Sequence, residues 1–206
     1  MKSTSRRTTR VAGKVFVVSS PSGGGKTTIV RAILRRVPKL ARSISVTTRP
    51  RRPEERARVD YRFVAEPQFA ALREQGGLLE WAQVHQAYYG TPRRWVEQRI
   101  ASGWDVILSI DVQGAQQVRK HLGKRSVLVF LLPPSMRDLR NRLINRRTDS
   151  ADSIRHRLQA AKRELACARW YDYQLVNRDL DRAVDELEAI ITAERLRVQS
   201  DNGGEQ

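Results

Sequence analysis

This 206-residue chain has a single cysteine, few acids for its number of cations and no long apolar run. Its one cysteine, Cys167, excludes an internal disulfide framework and a cysteine-based zinc cluster, and reads as a buried thiol. The longest apolar run, residues 127–132, falls far short of the ~20 residues a membrane span needs, so no spanning helix is expected. The opening MKSTSRRTTR is basic and rich in Ser and Thr but lacks the apolar stretch of a secretory signal. Residues 1–12 therefore read as a disordered basic tail, with a transit peptide as the alternative, and a cytoplasmic location is expected. The end, QSDNGGEQ, residues 199–206, also reads as disordered.

Aspartate and glutamate number 22 against 39 lysines and arginines, for a net charge of +17, and 32 of those cations are arginine. So positive a surface favours phosphate-bearing partners, and the planar arginine fork suits bidentate phosphate contact. Charge alone does not choose the partner, because arginine spread over solvated faces yields the same total. The length suits one globular domain with a substantial core.

Residues 15–18 form a short apolar run followed by glycines, and then by Ile29, Ile33 and Leu34 at helical spacing. That order is strand, loop, helix. WDVILSI (104–110) and SVLVFLL (126–132) read as further buried strands, each followed by a segment that can be helical, 112–121 and 136–145. Strands alternating with helices imply a parallel sheet covered on both faces. Ile154, Leu158, Ala161, Leu165 and Ala168 recur at steps of 4, 3, 4 and 3, and Leu180, Val184, Leu187 and Ile191 repeat the rhythm. Both read as amphipathic helices, with residues 173–176 as a last strand between them. Residues 43–90 break the alternation with short β-like pieces (SISVTT, YRFVA, LLEWAQV, YYG) and one helical piece at 67–74, and read as an inserted small lobe.

SSPSGGGKTT, residues 19–28, approaches the phosphate-binding pattern G-x-x-x-x-G-K-[ST]. Gly25, Lys26 and Thr27 fill its last three places, while Ser20 stands where the first glycine is usual. In such a loop successive backbone N–H groups curl around an anion, the lysine reaches the outer phosphates and the hydroxyl meets Mg²⁺. Ser20, Pro21, Ser22, Gly23, Gly24, Gly25, Lys26, Thr27 and Thr28 are therefore expected to hold a nucleoside triphosphate. Asp111, closing an apolar strand, is the candidate for reaching the metal through water, together with Thr27.

A phosphate loop does not name the acceptor. In SVTTRPRRPEERARVDYRF, Ser45, Arg49, Arg52 and Tyr61 can present two forks and two hydroxyls to one phosphate monoester, or else form a basic solvated loop. LLEWAQVHQAYYGTP adds Glu80, Tyr88, Tyr89 and Thr91.

TTRxxR with a downstream DYRF, then EWAQ and YYGTP, then LxIDxQG, resembles guanylate kinase over residues 15–187. The resemblance implies a P-loop NTPase-like parallel sheet with flanking helices, a small mixed GMP-binding lobe (43–91) and a lid (about 142–157), within a domain spanning 13–198 whose core is 13–42 and 92–198. It implies that Ser45, Arg49, Arg52, Tyr61 and Tyr89 bind the phosphate of GMP, that Glu80 and Thr91 read its base, and that Asp111 lies on the acceptor side. Lid arginines Arg142, Arg146 and Arg157 would fold over ATP, with Asn177 near the adenine, and Lys26, Arg49, Arg146 and Arg157 would carry catalysis. ATP is the implied co-substrate and Mg²⁺ the implied metal. Ser109 departs from the family's first acidic residue in L-D-I-D, and Arg147 from a glycine of the lid.

Two other readings stay open at this stage. One is a kinase for another small phosphorylated acceptor such as a ribose bisphosphate, against which Glu80 and Thr91 argue because a sugar has no base edge. The other is a guanylate-kinase-like binding module, a class that typically loses the phosphate loop retained here. Nucleic-acid binding is not expected, because the aromatics gather in the acceptor lobe instead of interleaving along a basic face. Monomer and homodimer are both compatible with the sequence.

Overall fold

The computed structural model describes residues 12–53, 55–84, 86–145 and 151–198. Both tails apart from Ala12, and the lid residues Arg146 and Arg147, lie outside the described residues. The chain begins with β1 (Val15–Ser19), α1 (Lys26–Arg36), β2 (Leu40–Arg42), β3 (Val46–Thr47), β4 (Arg62–Phe63), α2 (Glu66–Glu74), β5 (Leu78–Val84) and β6 (Ala87–Pro92). It continues through α3 (Arg93–Ala101), β7 (Asp105–Ser109), α4 (Val112–Leu122), β8 (Ser126–Leu132), α5 (Met136–Ile144), α6 (Ala151–Ala166), β9 (Tyr173–Val176) and α7 (Leu180–Leu196).

Five strands make a parallel sheet in the order β2-β7-β1-β8-β9. Its centre is apolar on both faces because helices cover both. Side chains alternate along β1, so Phe16 and Val18 pack against α1 and α7, through Ile29, Ile33, Val184 and Leu187. Val15 and Val17 point the other way and meet Val96 and Ile100 of α3 and Val118 of α4. This is the expected α/β architecture. In such sheets the loops at the carboxyl ends of the strands form the ligand crevice, and both the glycine loop and Asp111 leave the sheet there.

Two elements were not anticipated. β2 has three residues and only Leu40 fully buried, and α3 buries only Val96 and Ile100 among arginines, so neither has a strong apolar pattern. Cys167 is half-buried, in the short 3₁₀ turn that follows α6, and not fully buried as its type suggested.

A second sheet, ordered β4-β3-β6-β5, is built from the segment that broke the alternation. β3 and β4 run parallel, and the β3–β6 and β5–β6 pairs are antiparallel. Its small core packs Phe69 of α2 against Val46 and Leu78, with the Phe69 and Tyr88 rings stacked 5.5 Å apart. Polar contacts help tie this lobe to the core. Arg31 of α1 pairs with Asp60 at 2.7 Å, and Gln117 of α4 clasps the backbone of Trp81 in β5. No helix of the described residues is long and apolar enough to cross a membrane.

Candidate active site

The turn between β1 and α1 is a cradle held from several sides. Gly25 has φ +97, a left-handed conformation that side chains avoid, and a Cβ there would lie 2.3 Å from the Asn177 amide nitrogen. Asn177 itself is buried and donates from Nδ2 to the Gly24 carbonyl at 2.8 Å, while its own carbonyl accepts Arg142 at 2.9 Å. Ser20 donates from Oγ to the Pro21 carbonyl, and the Lys26 ammonium donates to the Ser20 carbonyl at 2.6 Å and to Ser20 Oγ at 3.1 Å. Thr27 and Thr28 open α1 with exposed side chains. A serine at position 20 thus keeps the loop closed through its hydroxyl.

Asp111 caps α4. Its Oδ1 accepts the Gly114 amide at 3.0 Å and its Oδ2 accepts Gln113 Nε2 at 3.2 Å. Asn177 thus supports the loop, and each Asp111 oxygen accepts one hydrogen bond from the start of α4.

Among the residues expected to hold the acceptor phosphate, Arg49 is the hub. Its Nη2 pairs with Glu55 at 2.6 Å, its Nε donates to the Tyr89 hydroxyl at 3.1 Å, and its guanidinium carbon lies 5.6 Å from the centre of the Tyr61 ring. Tyr61 and Tyr89 meet edge to face with ring centres 6.0 Å apart. Ser45 is half-buried at the edge of this group and its carbonyl accepts the Arg62 amide at 2.9 Å. Arg52 is exposed and joins the cluster through its backbone, which donates to Glu55 at 3.0 Å. Glu55 sits below the usual carboxylate range: burial works against this, but Arg49 and the Arg52 amide prevail.

Glu80 is buried, 3% exposed. A bulge between Leu78 and Glu80 shifts the β5–β6 register and sets Glu80 opposite Thr91, whose hydroxyl donates to Glu80 Oε1 at 2.6 Å. Burial pushes the Glu80 carboxyl up to about 7, against the lowering pull of Thr91, with Asp111 nearby adding to the rise.

The model of the family described as guanylate kinase matches residues 12–194. The guanylate kinase of Rhizobium etli is 48% identical over 90% of this chain and 84% of its own, and that of Aromatoleum aromaticum is 48% identical over 90% of each. The crystal structure of guanylate kinase from Anaplasma phagocytophilum aligns at a TM-score of 0.79 and 33% identity, covering 92% of this chain and 89% of that one. This chain belongs to the guanylate kinase family.

Two acids of this guanylate kinase escaped the sequence reading. Glu55, in a run of arginines and beside another glutamate, has the look of a solvated loop residue, yet it is the partner of Arg49. Glu164 stands two helical turns beyond Arg157 on α6, a spacing that shares a face. Burial raises its carboxyl pKa, partly offset by Lys26 and a hydrogen bond from the Ser22 amide, which sets it against the glycine loop. Arg157 is half-buried on the same helix, and Arg155 is exposed beside Asp152 at 2.9 Å.

Proposed function

We propose that this enzyme transfers the γ-phosphoryl group of ATP to GMP and to dGMP by direct in-line displacement. The observation that carries the reading is the buried Glu80 carboxyl with one oxygen engaged by Thr91. Guanine offers N1–H and N2–H₂ side by side to one carboxylate. AMP has an unprotonated N1 and no 2-amino group, so it leaves that carboxylate unpaired, at a cost of about 1–3 kcal/mol or more. A sugar bisphosphate has no base edge at all.

In this reading Arg49, with Ser45, Arg52, Tyr61 and Tyr89, takes the GMP phosphate, and Asp111 borders the acceptor. Residues 20–28 wrap the ATP phosphates with Lys26 on the outer ones. The adenosine end lies in the cavity of about 480 Å³ lined by Pro134, Ser135, Arg142, Asn145 and Arg178, next to the Asn177 that supports the loop. A GMP phosphate oxygen bonds to the γ-phosphorus as the bond to the β,γ-bridging oxygen breaks, and ADP leaves. Lys26, Arg49, Arg146 and Arg157 offset the charge that spreads over the moving group. Closing the lid, residues 142–157, keeps water from taking the phosphoryl group instead.

The donor set fits Mg²⁺ held mainly by substrate and water. Among the described residues no group of three or more His, Cys, Asp or Glu is placed to hold a metal, and Mg²⁺ characteristically keeps several waters and binds through phosphates. Thr27 would ligate directly and Asp111 through water, and the ion would neutralise charge on the β- and γ-phosphates. With ATP and GMP as substrates, the cytoplasm is the proposed location.

The test is a Glu80→Ala enzyme assayed with GMP and AMP. Loss of guanine preference with ATP binding retained supports the reading. An unchanged preference overturns the base-reading role.

A further inference from the structure

We infer that Gly114 and Gln117, on the face of α4 that meets β5, fix the position of Glu80 and so determine how well the enzyme distinguishes bases; this rests on the base-reading role proposed above. A Cβ built on Gly114 would lie 2.3 Å from Glu80 Oε2 and 3.0 Å from its Cδ. The second carboxylate oxygen therefore fills the space that any side chain at 114 would need. The other oxygen is tied to the Thr91 hydroxyl at 2.6 Å, so displacing the carboxylate to admit a side chain at 114 strains that bond.

One turn further along the same face, Gln117 grips the neighbouring residue of β5. Its Nε2 donates to the Trp81 carbonyl at 2.7 Å and its Oε1 accepts the Trp81 amide at 3.2 Å. A side-chain amide thus pairs with both backbone groups of the residue after Glu80, as a strand neighbour would. The helix is in turn anchored to the main sheet, because it follows β7 directly and its first turn is capped by Asp111 through the Gly114 amide.

This matters because the register of β5 against β6 shifts between Leu78 and Glu80. A bulge leaves the local ladder disrupted, and hairpin pairing alone gives Glu80 a poor reference. α4 supplies a second one from the core sheet that also carries the glycine loop. Gly114 meets the Glu80 carboxylate and Gln117 the backbone of Trp81. They are positioning residues that act through Glu80.

The experiment is steady-state kinetics of Gly114→Ala, Gln117→Ala and wild type with GMP, IMP and AMP as acceptors, together with thermal denaturation. IMP keeps N1–H but lacks the 2-amino group. For Gly114→Ala the KM for GMP is expected to rise about tenfold or more, with the GMP-over-IMP preference falling in parallel and the KM for ATP unchanged within about twofold. Gln117→Ala introduces no clash and is expected to show the same acceptor-selective pattern at smaller amplitude. Adding Glu80→Asp to Gly114→Ala shortens the carboxylate away from the new methyl and is expected to recover part of the GMP preference, which a purely structural glycine would not permit.

Full GMP preference in both single variants, or an equal rise in KM for GMP and ATP, overturns the inference. A wild type with no preference for GMP over AMP overturns the function proposed above and the inference with it, whereas normal wild-type preference with insensitive variants overturns the positioning role alone.

Discussion

The Thr91 hydroxyl donates to Glu80 Oε1 at 2.6 Å across the β5–β6 pair, on a carboxyl that is 3% exposed. A buried acid is costly unless donors meet it. In the function proposed above, guanine supplies those donors, two of them side by side.

GMP affinity is expected to fall as pH drops through about 7. Burial pushes the Glu80 carboxyl up to about 7, and the two guanine donors favour its ionised form, so below that pH a proton competes with the base. The GMP phosphate titrates as well, with a second pKa of about 6. Glu80→Gln should keep that phosphate effect and lose the step near 7. Calorimetric GMP titration from pH 5.5 to 8.5 in both proteins checks this, and parallel profiles contradict it.

The same group acts on stability with a fixed sign. The folded protein holds the Glu80 proton more tightly than the unfolded chain, whose carboxyl titrates near 4.5. Its contribution is therefore fully present below pH 4.5 and is lost as pH rises through about 7. Denaturant unfolding across that window should show a downward slope that Glu80→Gln flattens. An unchanged slope in the variant contradicts the buried, proton-retaining carboxyl.

Arg49→Ala should raise the KM for GMP about thirtyfold, equivalent to about 2 kcal/mol for a lost hydrogen-bonded charge, with the KM for ATP little changed. Arg49 joins Glu55, Tyr89 and the Tyr61 ring, so no neighbouring arginine reproduces its geometry. Arg52→Ala, on an exposed side chain, should cost less. A larger effect at 52 than at 49 reverses the assignment.

Asn177→Ala should raise the KM for ATP about fivefold and leave GMP nearly untouched, because it removes the amide that holds the Gly24 carbonyl at 2.8 Å. A selective loss of GMP affinity instead places Asn177 on the acceptor side.

Glu194→Ala should destabilise the fold by about 3 kcal/mol or more, lowering Tm by about 6–12 °C, without acting on either substrate site. Glu194 pairs with Lys14 at 2.7 Å and accepts the Tyr173 hydroxyl at 2.8 Å, and both members of the pair are nearly buried. Removing the acid strands the ammonium. A Tm shift under about 2 °C contradicts that.

Much of the fold was legible because its signals are local. β1 is a continuous apolar run, the glycines and Lys26 follow it directly, and β8 and β9 have the sequence-read bounds. β2 and α3 were not legible, since each buries two residues or fewer and borrows its structure from the sheet it joins. Within the site, the types of Glu80 and Thr91 could be read, but not the bulge at Leu79 that pairs them. Gly114 and Gln117 were hidden for a related reason: their partners lie more than thirty residues earlier in the chain, and only the packing of α4 on β5 brings them together. Glu55 and Glu164 were obscured by the charge around them, which makes a buried acid look like a solvated one.

An acceptor screen of the wild-type enzyme with ATP, offering GMP, dGMP, AMP and a ribose bisphosphate at equal concentration, bears most directly on the proposed chemistry. ADP formation is expected with GMP and dGMP and to be far slower with AMP and the sugar, by a factor of about 100 or more. Comparable rates with GMP and AMP would contradict a carboxylate at position 80 that reads guanine.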